Sequence, residues 1–285
     1  MKVKVLNLKV ELIFLLTFLF CSLTAYADED LDTERGYKQI VQEVFIGEVV
    51  YPQERGEIQF TVAPQFRDND SEQLLEFPIT LEYGITDSWQ LELEWVAYAR
   101  IFPEDDRNKN GIGDLELGTK YSFMNIGGSD FHTALGFEIG FPTGDIDDDI
   151  SQSEGFIEFE PFIVLAKDLP RLKDSHLFTQ VGFSYSNKIR NTEENAGDSD
   201  NSFGLLVNAG YIFPIYDFRL TTEFNYEGEW NGGEREDEIF ITPGLILVAG
   251  DWEFGFGVAA GLSEDSDNYR LIGMITYEFN ILGYD

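Results

Sequence analysis

Carboxylates outnumber every other group able to do chemistry in this 285-residue chain, with 53 Asp and Glu against 19 Lys and Arg, 2 His and 1 Cys. Many of these acids recur at every second position between apolar neighbours, as in Trp89-Gln90-Leu91-Glu92-Leu93-Glu94-Trp95 and Leu115-Glu116-Leu117. Period two places successive side chains on opposite faces of a strand. Read that way, Glu82, Glu92, Glu94, Glu116, Lys120, Glu138, Glu158, Glu160, Arg219, Glu223, Glu227, Arg270 and Glu278 share the ionisable face. Lining an enclosed passage, they would favour cations or polar neutral solutes over anions. The plainer reading is a wet interior in which Glu–Arg and Glu–Lys pairs only brace the wall, and both stay open at this point.

The remaining candidate chemistry is sparse. Asp106-x-Asn108-x-Asn110-Gly111-x-Gly113-Asp114 resembles the start of a calcium loop, with oxygen ligands at alternating positions and Gly at the sharp turn. The twelfth position is Leu117 instead of a bidentate acid. A turn-forming Asn/Gly loop is therefore the first expectation for Asp106, Asn108, Asn110 and Asp114, and calcium the second. No other cofactor is called for. Asp145, Asp147, Asp148 and Asp149 form a further acidic cluster that could gather divalent cations. His132 is followed by Thr133-Ala134 and His176 by Leu177-Phe178, so neither stands in a His-x-Ser pair. No Gly-x-Ser-x-Gly elbow, His-Glu-x-x-His motif or phosphate-binding loop is present, and an enzyme is not expected. The net charge of −34 repels a phosphate backbone and excludes a nucleic-acid partner. A single Cys excludes a disulfide framework.

The elements that must position these residues begin with an address. Lys2, Lys4 and Lys9 precede an apolar run from Leu12 to Phe20, and Ala25-Tyr26-Ala27 follows with small residues where a signal peptidase cuts. Residues 1–27 therefore read as a secretory signal peptide. Its removal takes three Lys and Glu11 with it, moving the net charge from −34 to −36. No later stretch is long and apolar enough for a transmembrane helix, so a membrane role must use strands.

From Glu57 onward, alternating segments of about ten residues recur twelve times up to Phe279, the length a tilted strand needs to cross a bilayer. Connections after even segments are short, such as 84–88, 214–216 and 249–250. The stretches 101–112, 142–154, 187–201 and 229–237 read as long polar loops. Aromatics cluster at strand ends, including Trp89, Phe123, Phe131, Tyr185, Trp252 and Phe279, as they do where rings meet headgroups. The expectation is an all-β, antiparallel transmembrane barrel of about 12 strands over residues 57–285, with short periplasmic turns and longer acidic extracellular loops. A soluble β-sandwich would alternate too, but it would point its apolar face inward. Nine glycines on the ionisable face, among them Gly136, Gly210, Gly255 and Gly257, are expected to leave space in a narrow lumen. Residues 28–56 read as a periplasmic segment, either a loosely ordered leader or a partial plug, with Ile40, Val41, Val44 and Phe45 spaced for a short helix and Val44 to Tyr51 equally suited to an extended chain.

Three stretches, Phe77-Pro78-Ile79-Thr80-Leu81-Glu82-Tyr83-Gly84-Ile85-Thr86-Asp87, Gly111-Ile112-Gly113-Asp114-Leu115-Glu116-Leu117-Gly118-Thr119-Lys120-Tyr121 and Gly140-Phe141-Pro142-Thr143-Gly144-Asp145, resemble the outer-membrane proteins grouped under the meta-pathway of phenol degradation. The resemblance is best over residues 55–145. It implies a barrel of a Gram-negative outer membrane that passes small compounds, aromatic or hydrophobic ones included. The chain departs from the common pattern in continuing from Phe279 to Asp285 and in the acidity of its loops. The functional expectation is a porin-like channel or transporter for passive passage of a small-molecule solute, with outer-membrane lipid and lipopolysaccharide as its surroundings. The alternative is a structural or adhesive barrel acting through its acidic outer loops.

Overall fold

The computed structural model describes residues 37–103, 108–144, 146–147, 150–151, 153, 155–190 and 200–282. The expected signal peptide and residues 28–36 lie outside them. The described strands are β1 (Glu57–Val62), β2 (Gln65–Asp68), β3 (Glu72–Thr86), β4 (Trp89–Pro103), β5 (Lys109–Gly111), β6 (Leu115–Phe123), β7 (Phe131–Phe141), β8 (Ile146–Asp147) and β9 (Ile150–Ser151). They continue with β10 (Phe156–Leu169), β11 (Ser175–Lys188), β12 (Asn201–Ile215), β13 (Phe218–Asn231), β14 (Glu234–Ala249), β15 (Trp252–Gly261) and β16 (Tyr269–Asn280). All pairings are antiparallel between neighbours, and β16 pairs with both β1 and β2, so the sheet closes on itself. Because β1 and β2 are two halves of one wall strand, β5 only flanks β4, and β8–β9 is a separate hairpin, the wall has twelve strands.

Alternation sorts the side chains as the sequence pattern requires. Leu81, Leu91, Leu93, Leu117, Leu135, Leu165, Phe183 and Phe256 are exposed on the outer surface, while Glu82, Gln90, Lys120, Glu223 and Thr242 are buried inside. Trp89, Phe123, Phe131, Phe218, Trp252 and Phe279 ring the rim that carries the short turns. Strands of 14–16 residues, such as β10 to β14, span roughly 50 Å at about 3.3 Å per residue, more than a bilayer core needs.

Three expectations are corrected. The first segment is not continuous: Pro64, which has no N–H to give the ladder, separates β1 from β2. Its neighbours are held instead by Gly273 N–H donating to Pro64 O at 2.8 Å and Ala63 N–H donating to Pro78 O at 3.1 Å. Residues 229–237 are not a long loop. The strands β13 and β14 run on to a two-residue turn at Gly232 (φ 60°) and Gly233 (φ 105°), left-handed backbone that glycine adopts without strain. Gly136, Gly210 and Gly257 do not leave open space either. A Cβ on Gly136 would lie 1.9 Å from the Phe162 ring, one on Gly210 2.2 Å from Phe178, and one on Gly257 2.8 Å from Phe45.

Residues 37–56 form neither helix nor strand and are enclosed by the wall. The short helix expected around residues 40–45 is absent because the N–H groups of Gln42, Phe45, Ile46, Gly47 and Glu48 donate to wall side chains. Ile40, Val41, Val44, Val49, Val50 and Tyr51 pack with Ala134, Phe162, Val164, Phe178, Ile212, Ile246 and Met274 into an apolar cluster inside the barrel. The half of the interior nearer the short-turn rim is therefore oily beneath an otherwise polar lining.

Substituting Gly136→Ala should lower the temperature of heat-modified electrophoretic migration and cost about 1–3 kcal/mol by overpacking against Phe162. Adding Phe162→Leu should recover most of that loss. Equal stability of the single variant and the parent would contradict the close packing.

Candidate functional site

Strand register gathers the ionisable side chains into two rows across β3, β4, β6, β7 and β10. One row runs Glu82–Glu92–Gly118–Glu138–Glu160 and the other Thr80–Glu94–Glu116–Gly140–Glu158. Directly opposed like charges destabilise a sheet, and Gly118 and Gly140 interrupt each row so that carboxylates do not stand on every strand. Thr80 Oγ1 donates to Glu94 at 3.2 Å and Ser186 Oγ to Glu158 at 3.2 Å, capping the second row at both ends. Seven of the acids expected on the ionisable face thus share one side of the interior.

The compensating cations stand beside the β3 end of the rows, on β2 and β16. Arg270 pairs with Glu238 and Asp267, both at 2.7 Å, over the ring of Phe240, and Glu227 lies opposite Glu238 in the register. Arg67 pairs with Glu76 at 2.9 Å. A cavity of about 150 Å³ is lined by Glu158, Glu160, Ser184, Ser186, Ser202 and Glu227. Glu278 sits lower, opposite Gln59 near the short-turn rim.

Four expected wall residues are engaged by the inserted segment, Glu82 among them through Gln53. Glu223, fully buried, accepts from the N–H groups of Phe45 at 2.9 Å, Ile46 at 3.2 Å and Gly47 at 2.8 Å. A carboxylate removed from water needs such donors. Arg219 donates to Ile40 O at 2.7 Å. Lys120 Nζ reaches Glu48 at 2.7 Å and Val49 O at 3.1 Å, which places the Lys120–Glu48 pair beneath the carboxylate rows.

Further contacts come from neutral residues that charge-based reading passed over. Gln90 accepts from Gln53 N–H at 3.0 Å, Ser122 donates to Val50 O at 2.7 Å, and Gln180 accepts from Glu48 N–H at 3.0 Å. Asn208, Asn225 and Thr242 extend Gln180 into a hydrogen-bonded chain around the wall. Glu82 accepts from three amides, Gln53 at 2.9 Å, Gln59 at 3.3 Å and Gln90 at 2.7 Å. The available clue was alternation itself, since these residues occupy the same face as the acids. Phe45 completes the fit, its ring filling the space over Gly244, Gly255 and Gly257.

Glu43, on the inserted segment, is held well above the usual carboxylate range by burial first and by Glu82 next, and it accepts from Gln59 Nε2 at 2.7 Å. At the short-turn rim, Asp168 lies between two fully buried imidazoles, His132 Nε2 at 3.0 Å and His176 Nδ1 at 2.7 Å. Asn125 N–H donates to His132 Nδ1 at 3.0 Å, so Nε2 carries the proton given to Asp168. Tyr51 closes over the group, its hydroxyl 3.1 Å from His176 Nδ1 and its ring stacked on Tyr37.

Asp106 lies outside the described residues, Asn108 is exposed, and Asn110 sits in β5 opposite Arg100 of β4. Asp114 accepts from Gly144 N–H at 2.8 Å and Ser153 Oγ at 3.0 Å, joining two loops. Among the described residues no group of three or more His, Cys, Asp or Glu is placed to hold a metal ion. Of the second acidic cluster, Asp145, Asp148 and Asp149 lie outside the described residues.

No family model and no curated protein matches the chain. Solved structures do match its fold. An outer membrane channel from Pseudomonas putida F1 superposes with a TM-score of 0.65 at 14% identity, over 83% of this chain and 100% of that one. The NanC porin superposes with a TM-score of 0.54 at 13% identity, over 78% of this chain and 100% of that one. The fold is that of an outer-membrane β-barrel.

Replacing Glu223 by Ala should strand three buried N–H groups and free the segment, read as at least tenfold faster trypsin cleavage at Lys38 in the folded barrel, since each lost hydrogen bond to a charged group is worth about 1.5–3 kcal/mol. Unchanged cleavage would refute its anchoring role. Because its pKa is raised, Glu43 supports seating fully at pH below the ordinary carboxylate range and loses that support as pH rises through the raised value. Cleavage should accordingly accelerate with pH in the parent and less steeply in Glu43→Gln.

Proposed function

We propose that this chain is an outer-membrane channel for passive passage of small cationic or polar neutral solutes, with residues 37–56 narrowing its periplasmic half. The observation that carries the reading is the pair of carboxylate rows on β3 to β10, facing an enclosed interior above the Lys120–Glu48 pair. Acidic rings concentrate cations and exclude anions at close quarters. The exposed apolar belt supports a lipid surround, and the short turns and chain entry at one rim support placing that rim in the periplasm. Likeness to a channel and a porin agrees with passage as the activity. Catalysis is not part of this reading, because His132 and His176 are fully buried and bound to Asp168, away from any solute.

Membership of the phenol meta-pathway group, with carriage of aromatic or hydrophobic compounds, is the narrower reading. It rests on residues 77–87, 111–121 and 140–145, and the lumen adds little to it, since acids and hydroxyls predominate in the cavity of its outer half, where Phe156 is the one ring. A structural barrel is the rival that the inserted segment favours, because the segment fills the half nearer the short-turn rim.

Planar-bilayer recording of the mature chain separates the two. A channel should give discrete, cation-biased conductance steps, and the double variant Glu92→Gln with Glu94→Gln should at least halve the cation-to-anion preference. Deleting residues 38–51 should raise the step size several-fold. Silence from a barrel with intact heat-modifiable migration would leave the structural role instead.

A further inference from the structure

The outer wall carries a groove that the passage of solutes does not use. It has a volume of about 700 Å³ and an almost wholly apolar lining contributed by β7 and by β10 to β14. Small outward side chains, Thr179, Ala209 and Thr222 on three adjacent strands, make its floor, and Leu165, Leu177 and Phe224 rise beside them. Five interstrand steps of about 4.8 Å carry it roughly 24 Å around the wall, enough for an acyl chain that crosses a leaflet of about 15 Å obliquely. A hollow in a lipid-facing wall forfeits dispersion contacts unless a chain lies in it.

One end of the groove is charged. Lys167, exposed and two residues from the end of β10, holds its ammonium 4.9 Å from the ring of Phe131, and both residues line the groove. Among the described residues no carboxylate pairs with it. The turn after β10 adds exposed Arg171 and Lys173, the latter 5.6 Å from the ring of Phe213. Three cations thus gather on one hairpin of a chain whose net charge is −34, and the hairpin's own acids are engaged elsewhere, Asp168 by His132 and His176 and Asp174 by Lys38 at 3.8 Å. The three cations stand at the level of the aromatic ring, where a lysine facing lipid extends its head toward phosphate.

We propose that this groove is a binding site for one anionic glycerophospholipid of the periplasmic leaflet, its acyl chain over Thr179, Ala209 and Thr222 and its phosphate against Lys167. A zwitterionic headgroup offers the same phosphate but brings its own ammonium toward Arg171 and Lys173, so it binds more weakly.

Native mass spectrometry of the full mature chain released from detergent, titrated with dioleoyl phosphatidylglycerol or dioleoyl phosphatidylethanolamine, tests the site. The first phosphatidylglycerol adduct should form at about fivefold lower lipid concentration than the phosphatidylethanolamine adduct, as about 1 kcal/mol per basic residue implies. Lys167→Gln should erase most of that difference. Ala209→Phe, which raises the floor, should weaken both lipids, and Ala209→Leu serves if the larger side chain prevents folding. Equal binding of the two lipids by the parent would overturn the proposal, as would unchanged phosphatidylglycerol binding in the Lys167 and Ala209 variants.

Discussion

In hydrocarbon an unpaired backbone N–H or C=O costs several kcal/mol, and the pairing of β16 with β1 and β2 removes the edge where such groups would lie. Every other property of the molecule depends on that closure. Once the ladder is a ring, the two faces of each strand become an inside and an outside, and a period of two in the sequence becomes a division between water and lipid. The weak point is Pro64, which interrupts the closing strand. The bonds from Gly273 N–H to Pro64 O and from Ala63 N–H to Pro78 O keep the seam continuous there.

A closed ring of this size also has to fill or wet its interior, and this one does both. Toward the long-loop rim, acids and hydroxyls face an enclosed space, with Arg67 and Arg270 beside the β3 end of the two carboxylate rows. Toward the other rim, the chain preceding β1 supplies the missing core, setting Val41, Val44, Val49 and Val50 against Phe162, Phe178 and Ile246. Its backbone then gives N–H donors to the buried acids Glu223 and Glu253. An irregular backbone is suited to this task because its donors are not used up in a helix.

Much of this was legible before any coordinates, and the boundary of legibility is physical. The wall was readable because alternation is local: Trp89 to Trp95 declares its two faces without reference to any other strand. The gathering of Glu92, Glu116, Glu138 and Glu158 onto one side was not, since it depends on register between strands. The glycines misled for a related reason. Gly136, Gly210 and Gly257 do mark close approach, but what approaches is Phe162, Phe178 or Phe45 from elsewhere in the chain. Gly232-Gly233 carried a turn signal that the acidic residues around it obscured. The role of Gln53, Gln90, Gln180 and Asn208 could not emerge from charge, because neutral amides acquire meaning only from their partners.

Among the described residues the inserted stretch runs from Tyr37, near His132, to Arg55, whose N–H donates to Asp87 in the β3–β4 turn. Both places belong to the same mouth of the barrel. Between those two residues the chain is therefore a bight, turning back to the door it starts from. Drawing residues 37–55 back toward that side would break hydrogen bonds to wall side chains and leave every interstrand bond in place.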